Sequence, residues 1–294
     1  MRLGLQLSNL TLPGGPAQLP DHLANAARWA EEAGMESVWV MDHFFQIPPI
    51  GPAEMDMLEG YSLLAYIAAQ TKRVRLGTMV TGVTYRHPGI LAKTVTTLDV
   101  LSKGRAIFGV GAAWFEREHK GLGVPYPPIA ERFERLEEAI QIALQMWSGK
   151  VAPYRGKHYT LEETLCVPLP LSKPHPPIMI GGMGEKKTLR LVAQYAQACN
   201  LFAFEDTAVL THKLAVLREH CDRLGRNYND IERTTIDMFD LERKDEHLRR
   251  LAAHAELGFD TAIVGLKDPT DRKTFEVLAR EVIPYASQLR TKGR

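Results

Sequence analysis

An aspartate and a histidine, Asp42 and His43, stand side by side at the end of the apolar run 37–41. A carboxylate beside an imidazole sets the ring's tautomer and favours its protonated form, so the pair suits general acid or base work. Trp39, Phe44 and Phe45 flank it and could wall a flat ring. The same two residues also suit a solvated loop in which the aspartate caps a turn. A second signal is the run Gly181-Gly182-Met183-Gly184, placed between an apolar stretch and a helical one. Free N–H groups and the positive end of a helix dipole attract phosphate at such a turn. Lys186, Lys187 and Arg190 add positive charge, whereas Glu185 must point away if an anion binds. A third signal spans 77–84, where Gly77 and Gly82 allow close backbone approach and Thr78, Thr81 and Thr84 offer hydroxyls. A fourth, Gly109-x-Gly111, lacks the third glycine and the immediate helix of a dinucleotide fingerprint. With Ala112 it reads instead as room for a planar ring against the strand ends.

Other chemistries lack their residues. His119 lies in EREHK, which is not the spacing of a zinc helix, and the first apolar run offers Gln6, Ser8 and Asn9 rather than paired histidines. No metal site is expected. No nucleophile elbow or Walker loop is present. A net charge of +1 gives no basic stripe for nucleic acid, and no apolar run approaches the roughly 20 residues of a membrane span. The three cysteines, Cys166, Cys199 and Cys221, are isolated, as in a reducing cytoplasm.

Positioning these residues requires a parallel sheet. Short apolar runs at 3–7, 37–41, 74–80, 106–110, 178–180, 200–202, 234–238 and 261–264 alternate with stretches of helical spacing. The helical stretches are 21–34, 60–70, 87–101, 129–147, 185–198, 209–224, 246–257 and 269–283, with Asp21 as the expected cap of the first and Pro88 in the first turn of the third. Eight pairs exceed the usual five or six of a doubly wound sheet and predict an α/β fold, a closed (β/α)8 TIM barrel. Two segments exceed a minimal barrel: a long loop at 111–128 after the fourth strand, and an irregular Pro-rich insertion at 149–177 before the fifth. Loops after barrel strands carry the chemistry of such folds.

Four stretches together resemble the luciferase-like monooxygenase superfamily: AEEAGMESVWVMDHFF, TKRVRLGTMVTGVTYRHP, LAKTVTTLDVLSKGRAIFGVGAAWFEREHKGLG and PPIMIGGMGEKKTLRLVA. The likeness is densest over 30–111 and resumes at 177–200. VMDHFFQ and YRHP look more like the branch that uses the deazaflavin coenzyme F420 than like FMN luciferases. The resemblance implies one barrel domain over 1–294, coenzyme at the C-terminal strand ends, and a homodimer. It places Asp42 and His43 beside the ring. Met79, Val80 and Thr81 form a bulge behind it, frequently with a non-proline cis peptide, and the turn 181–184 takes the coenzyme phosphate. Relatives that oxidise sugar phosphates carry a glutamate where this chain has Trp114, which puts that activity in doubt. Relatives often have Ala-Asp where this chain has Ala196-Gln197.

The expected reaction is hydride transfer between C5 of F420 and a small organic substrate, with His43 moving the proton and Asp42 setting its tautomer. Trp114 and Phe115 are expected to wall the substrate pocket. The alternatives are an FMN-dependent two-component monooxygenase of the same fold, a non-redox lyase or isomerase acting on a phosphorylated metabolite, and a catalytically silent coenzyme-binding subunit.

Overall fold

The computed structural model describes residues 1–291. Among them, parallel strands close into a barrel in which β1 (Arg2–Leu7) pairs with both β2 (Ser37–Val40) and β11 (Thr261–Leu266). From β2 the ring runs through β3 (Arg75–Thr78) to β5 (Ala106–Gly111), β8 (Ile178–Gly181), β9 (Ala198–Phe202) and β10 (Glu232–Phe239), and so back to β11. A two-residue strand, β4 (Thr81–Gly82), continues β3 along β5 after an interruption at Met79–Val80, whose peptide bond is cis. Counting β3 and β4 as one stave gives eight, the expected (β/α)8 TIM barrel.

The strands read as near-continuous apolar runs because both of their faces are buried. Leu3, Leu5 and Leu7 face the helices, while Gly4, Gln6 and Ser8 turn inward. The inner core is Trp39, Ile107, Met179, Ala198 and Ile263. Trp39 fills the barrel between two glycines: a Cβ on Gly77 would stand 2.6 Å from its ring, and one on Gly4 3.3 Å from its Nε1. The indole donates to Ser37 Oγ at 2.8 Å. Trp39 is therefore a core residue and does not wall the barrel mouth with Phe44 and Phe45.

The outer ring comprises α1 (Leu19–Ala33), α2 (Gly60–Gln70), α3 (Pro88–Leu101), α5 (Ile129–Trp147), α6 (Thr188–Tyr195), α7 (Thr207–Leu224), α8 (Lys244–Leu257), and α9 (Arg272–Val277) with α10 (Ile283–Gln288). The expected cap of α1 is corrected. Gln18 is its N-cap, without a side-chain bond, and Asp21 lies inside the first turn, where its charge complements the helix dipole. The expected loop at 111–128 holds a short helix, α4 (Glu116–Leu122), closed by Gly123 at φ 72°. The insertion at 149–177 carries the antiparallel pair β6 (Tyr154–Arg155) and β7 (Thr160–Leu161). The three cysteines are buried and free, and no group of metal-ligating side chains occurs among the described residues. No described helix is long and apolar enough to cross a membrane.

Candidate active site at the strand ends

His43 follows β2 at the C-terminal mouth of the barrel, and its Nδ1 lies 2.6 Å from Glu118 Oε1 on α4. The Glu118 side chain is wholly buried. It also accepts from the Phe44 amide at 2.8 Å, from the Phe45 amide at 3.3 Å and from the Tyr85 hydroxyl. Burial alone would raise the Glu118 carboxyl, but the bonds from His43, Tyr85 and the Phe44 amide hold it below the usual carboxylate range. Burial and then the Glu118 hydrogen bond push the Tyr85 phenol up, so it stays a donor. An ionised carboxylate only accepts, so His43 must carry hydrogen on Nδ1. Its Nε2 has no partner among the described residues and is left for chemistry.

The turn before Glu118 is built for this placement. His119, buried beside it, meets the Phe115 carbonyl with Nδ1 at 2.8 Å and Thr84 Oγ1 with Nε2 at 2.6 Å. A carbonyl only accepts, so His119 also carries hydrogen on Nδ1. The His119 ring stacks on Tyr85 at 4.6 Å. The insertion helix is thereby locked to the loop after β4, with Glu118 aimed at His43.

Asp42 does something other than expected. Its oxygens go to Arg86, at 2.6 and 2.9 Å, in a bidentate pair. Arg86 also contacts Glu59 and lies over the Tyr61 ring at 4.9 Å. Burial pushes the Asp42 carboxyl up and Arg86 opposes it, while Asp42 in turn raises the guanidinium. The carboxylate that sets the His43 tautomer is Glu118, 75 residues away in sequence, and Asp42 instead anchors the loop carrying Arg86. Neither Glu118 nor Arg86 stood out from the sequence. EREHK failed the zinc spacing, and nothing in its local pattern marks Glu118 as the partner of a histidine 75 residues away.

The bulge and the glycines meet as one assembly. A Cβ on Gly109 would lie 1.9 Å from the Thr78 carbonyl oxygen; on Gly111 it would meet Val80 Cγ2 at 2.9 Å, and on Gly181 Val80 Cγ1 at 3.0 Å. These glycines therefore seat the bulge at Met79, Val80 and Thr81, and the small rim of β5 and β8 is a consequence of that packing. The threonine hydroxyls are used internally. Thr81 Oγ1 bonds Thr78 Oγ1 and Tyr61 Oη, each at 2.8 Å, and Thr78 donates to the Gly109 carbonyl. Ala112 and Met183 lie half-buried at the edge of the same rim.

The turn 181–184 departs from expectation in one respect: α6 starts at Thr188, so three residues separate Gly184 from the helix. Gly182 adopts φ +117°, and Gly184 is exposed. Glu185 turns toward α7, pairing with Lys213 at 2.6 Å and His212 at 3.1 Å. That clears the turn for an anion. Arg190 is committed to Glu137 and Lys187 lies over Phe133. Lys186 is exposed.

Trp114 and Phe115 stack at 5.2 Å and meet His43 edge-on at 5.7 and 5.9 Å. Phe115 is buried and Trp114 is 53% exposed. The two rings thus cover one side of the imidazole and present the indole to the mouth.

A family model described as luciferase-like monooxygenase matches residues 1–293. The chain is 33% identical over 215 residues to an F420-dependent glucose-6-phosphate dehydrogenase of Microbacterium testaceum, covering 72% of this chain and 62% of the relative. It is 34% identical over 220 residues to the enzyme so named in Kineococcus radiotolerans, covering 73% and 62%. The matches thus span under two thirds of these relatives. Among solved structures, the monooxygenase RslO1 of Streptomyces bottropensis superimposes with a TM-score of 0.79 at 18% identity, covering 97% of this chain and 99% of the other. An F420-dependent secondary alcohol dehydrogenase bound to an F420-acetone adduct gives 0.79 at 19% identity, covering 97% and 98%. Such low identities establish the barrel alone. The match over nearly the whole length settles the lineage: the chain belongs to the luciferase-like monooxygenase family.

Proposed function

We propose that this chain is an F420-dependent oxidoreductase that moves a hydride between the deazaflavin C5 and a small organic substrate. The observation that carries the reading is the bond of 2.6 Å between His43 Nδ1 and the buried Glu118, which leaves Nε2 unpartnered at the end of β2. The names of the curated relatives support the choice of coenzyme. The residues fit a planar anionic coenzyme: Gly109, Gly111, Ala112 and Gly181 keep the rim low, and the turn 181–184 stands clear of Glu185. Met79, Val80 and Thr81 would back the ring, while Gly182, Met183 and Gly184 would take the phosphate.

When bound, the deazaflavin supplies or accepts hydride at C5, and its carbon at that position disfavours oxygen activation. In reduction, His43 Nε2 gives its proton to the substrate oxygen as the substrate carbon gains hydride. In oxidation, Nε2 takes the hydroxyl proton as that carbon loses hydride. Glu118 stabilises the imidazolium form between these events, and Tyr85 and the Phe44 amide keep Glu118 ionised. Asp42 and Arg86 tie the loop after β4 to the end of β2.

The rival within the family is an FMN-dependent monooxygenase. Oxygen uptake with reduced FMN and with reduced F420, measured side by side, separates the two. This reading expects none with reduced F420; an oxygenated organic product formed with reduced FMN only when the protein is present would transfer the function to the rival. We further propose a cytoplasmic homodimer. Ile90 and Leu101 on α3 and Leu165 and Val167 in the insertion are exposed, and Lys93 ties that insertion to α3 through the Val167 carbonyl. Exposed apolar side chains on adjoining segments suit an interface. Light scattering at the monomer mass would refute the dimer.

A further inference from the structure

On β1, the neighbour of β2, and on β11, β10 and β9 beyond it, the inward faces carry side chains that neither the acid–base pair nor the coenzyme cradle uses. Strand alternation sets which they are. Ala198 and Ile263 belong to the inner core, so Asn200 and Phe202 on β9 and Gly265 on β11 share its face. Asn200 bonds Thr234, which turns Thr234, Ile236 and Met238 of β10 inward as well. In register, Met238 pairs with Gly265 and Gly265 with Gln6. These three residues form one row across the barrel.

That row is polar at one end and apolar at the other. Gln6 is 4% exposed, and its Oε1 is buried with no partner among the described residues. A buried amide oxygen without a partner costs about 1–3 kcal/mol unless something bonds it. Inner-face neighbours do not fill the role: Trp39 is bonded to Ser37, and Asn200 to Thr234. Next to Gln6, the Ser8 hydroxyl and the Met238 sulfur both crowd Gly265, where a Cβ would meet them at 3.6 and 2.5 Å. Beyond lie Met238, Phe202 and Phe204, which are 48%, 43% and 71% exposed. The two phenyl rings stack at 5.2 Å. Exposed apolar side chains on this face, with one unsatisfied amide in the Met238–Gly265–Gln6 row, have the composition of a small-molecule site: apolar walls and a few placed polar groups.

Resting on the oxidoreductase reading, we propose that this face is the substrate subsite. It takes an uncharged, largely apolar alcohol, whose hydroxyl donates to the unpartnered Gln6 Oε1. No charged side chain belongs to the row, and Trp114 extends the apolar wall from the His43 side.

The test uses the ¹⁵N-labelled full chain and the side-chain amide resonance of Gln6, assigned by its loss in Gln6→Leu. Titration with 1-phenylethanol should move that resonance to saturation, whereas glucose 6-phosphate should leave it in place. Gln6→Leu, followed by Trp fluorescence, should bind 1-phenylethanol about three- to tenfold more weakly, the worth of one neutral hydrogen bond. Met238→Glu, at a half-exposed position that tolerates charge, should weaken 1-phenylethanol binding at least as much. An unmoved Gln6 resonance, or saturable binding of glucose 6-phosphate in preference to 1-phenylethanol, would overturn the subsite. F420 affinity is measured separately on the same sample. Tight F420 binding without 1-phenylethanol binding removes the subsite and keeps the oxidoreductase reading. 1-Phenylethanol binding without F420 binding does the reverse.

Discussion

Replacing Glu118 with glutamine changes one atom and one charge at the centre of the site. The side chain has no exposure, and two of its four donors keep an acceptor if the new amide oxygen faces the Phe44 and Phe45 amides, while Tyr85, which shares Oε1 with His43, must turn its hydroxyl to accept from the new NH₂. The amide NH₂ then faces His43 Nδ1. Two donors cannot share that bond of 2.6 Å, so the imidazole must move its hydrogen to Nε2. The charge-assisted bond is lost, a change of about 1.5–3 kcal/mol. If the transition state holds the imidazolium, hydride transfer slows by roughly 10- to 150-fold, at 1.4 kcal/mol for each factor of ten. Coenzyme affinity should stay unchanged, because Glu118 contacts no part of the cradle. Imidazole ¹⁵N shifts read the tautomer directly. The wild-type neutral ring should carry its hydrogen on Nδ1, and Glu118→Gln should carry it on Nε2. A wild-type ring with its hydrogen on Nε2, or an unaltered tautomer and rate in the variant, would refute the reasoning.

His43→Ala should bind coenzyme as the wild type does and lose about 10²–10⁴ in turnover; steady-state kinetics beside a binding titration checks both halves. The Glu118 carboxyl is held below its ordinary 4.5, so it stabilises the fold fully above that pH and loses this contribution as pH falls through the lowered value. Urea melts of wild type and Glu118→Gln should therefore differ at neutral pH and converge on acidification. Arg233 and Asp260 form a pair at 3.0 Å with side chains 1% and 3% exposed, so Arg233→Ala should lose about 3–5 kcal/mol in denaturant melts. Gly109→Ala places a Cβ 1.9 Å from the Thr78 carbonyl oxygen, so the bulge must shift; coenzyme affinity should fall more than chemical stability, as a titration and a melt together would show.

The barrel was legible because hydrophobic period and punctuation repeat eight times, and closure follows from the count. The interruption between β3 and β4 was expected from resemblance alone, since the residues 74–80 read as one apolar run. Helix starts were less legible. Asp21 had the chemistry of a cap, but the chain turns at Gln18, two residues before Pro20. His43 was visible because it follows a strand directly. Its partner was not, because spatial neighbours 75 residues apart leave no local pattern, and the adjacent Asp42 offered a simpler pairing that Arg86 takes instead. The glycines of β5 and β8 were seen as ligand space; their need to accommodate Val80 depends on a backbone path that no spacing encodes. Gln6 drew notice only as a residue that is not histidine, and its unsatisfied amide emerges once the inward face of β1 is fixed.

The most direct test of the central claim is an equilibrium titration of the purified chain with F420 and with FMN, followed by coenzyme fluorescence. The account predicts tight, saturable F420 binding, weak FMN binding, and loss of F420 affinity when Gly182 is replaced by a bulky residue. Preference for FMN would contradict the deazaflavin assignment, and binding of neither would contradict the redox reading itself.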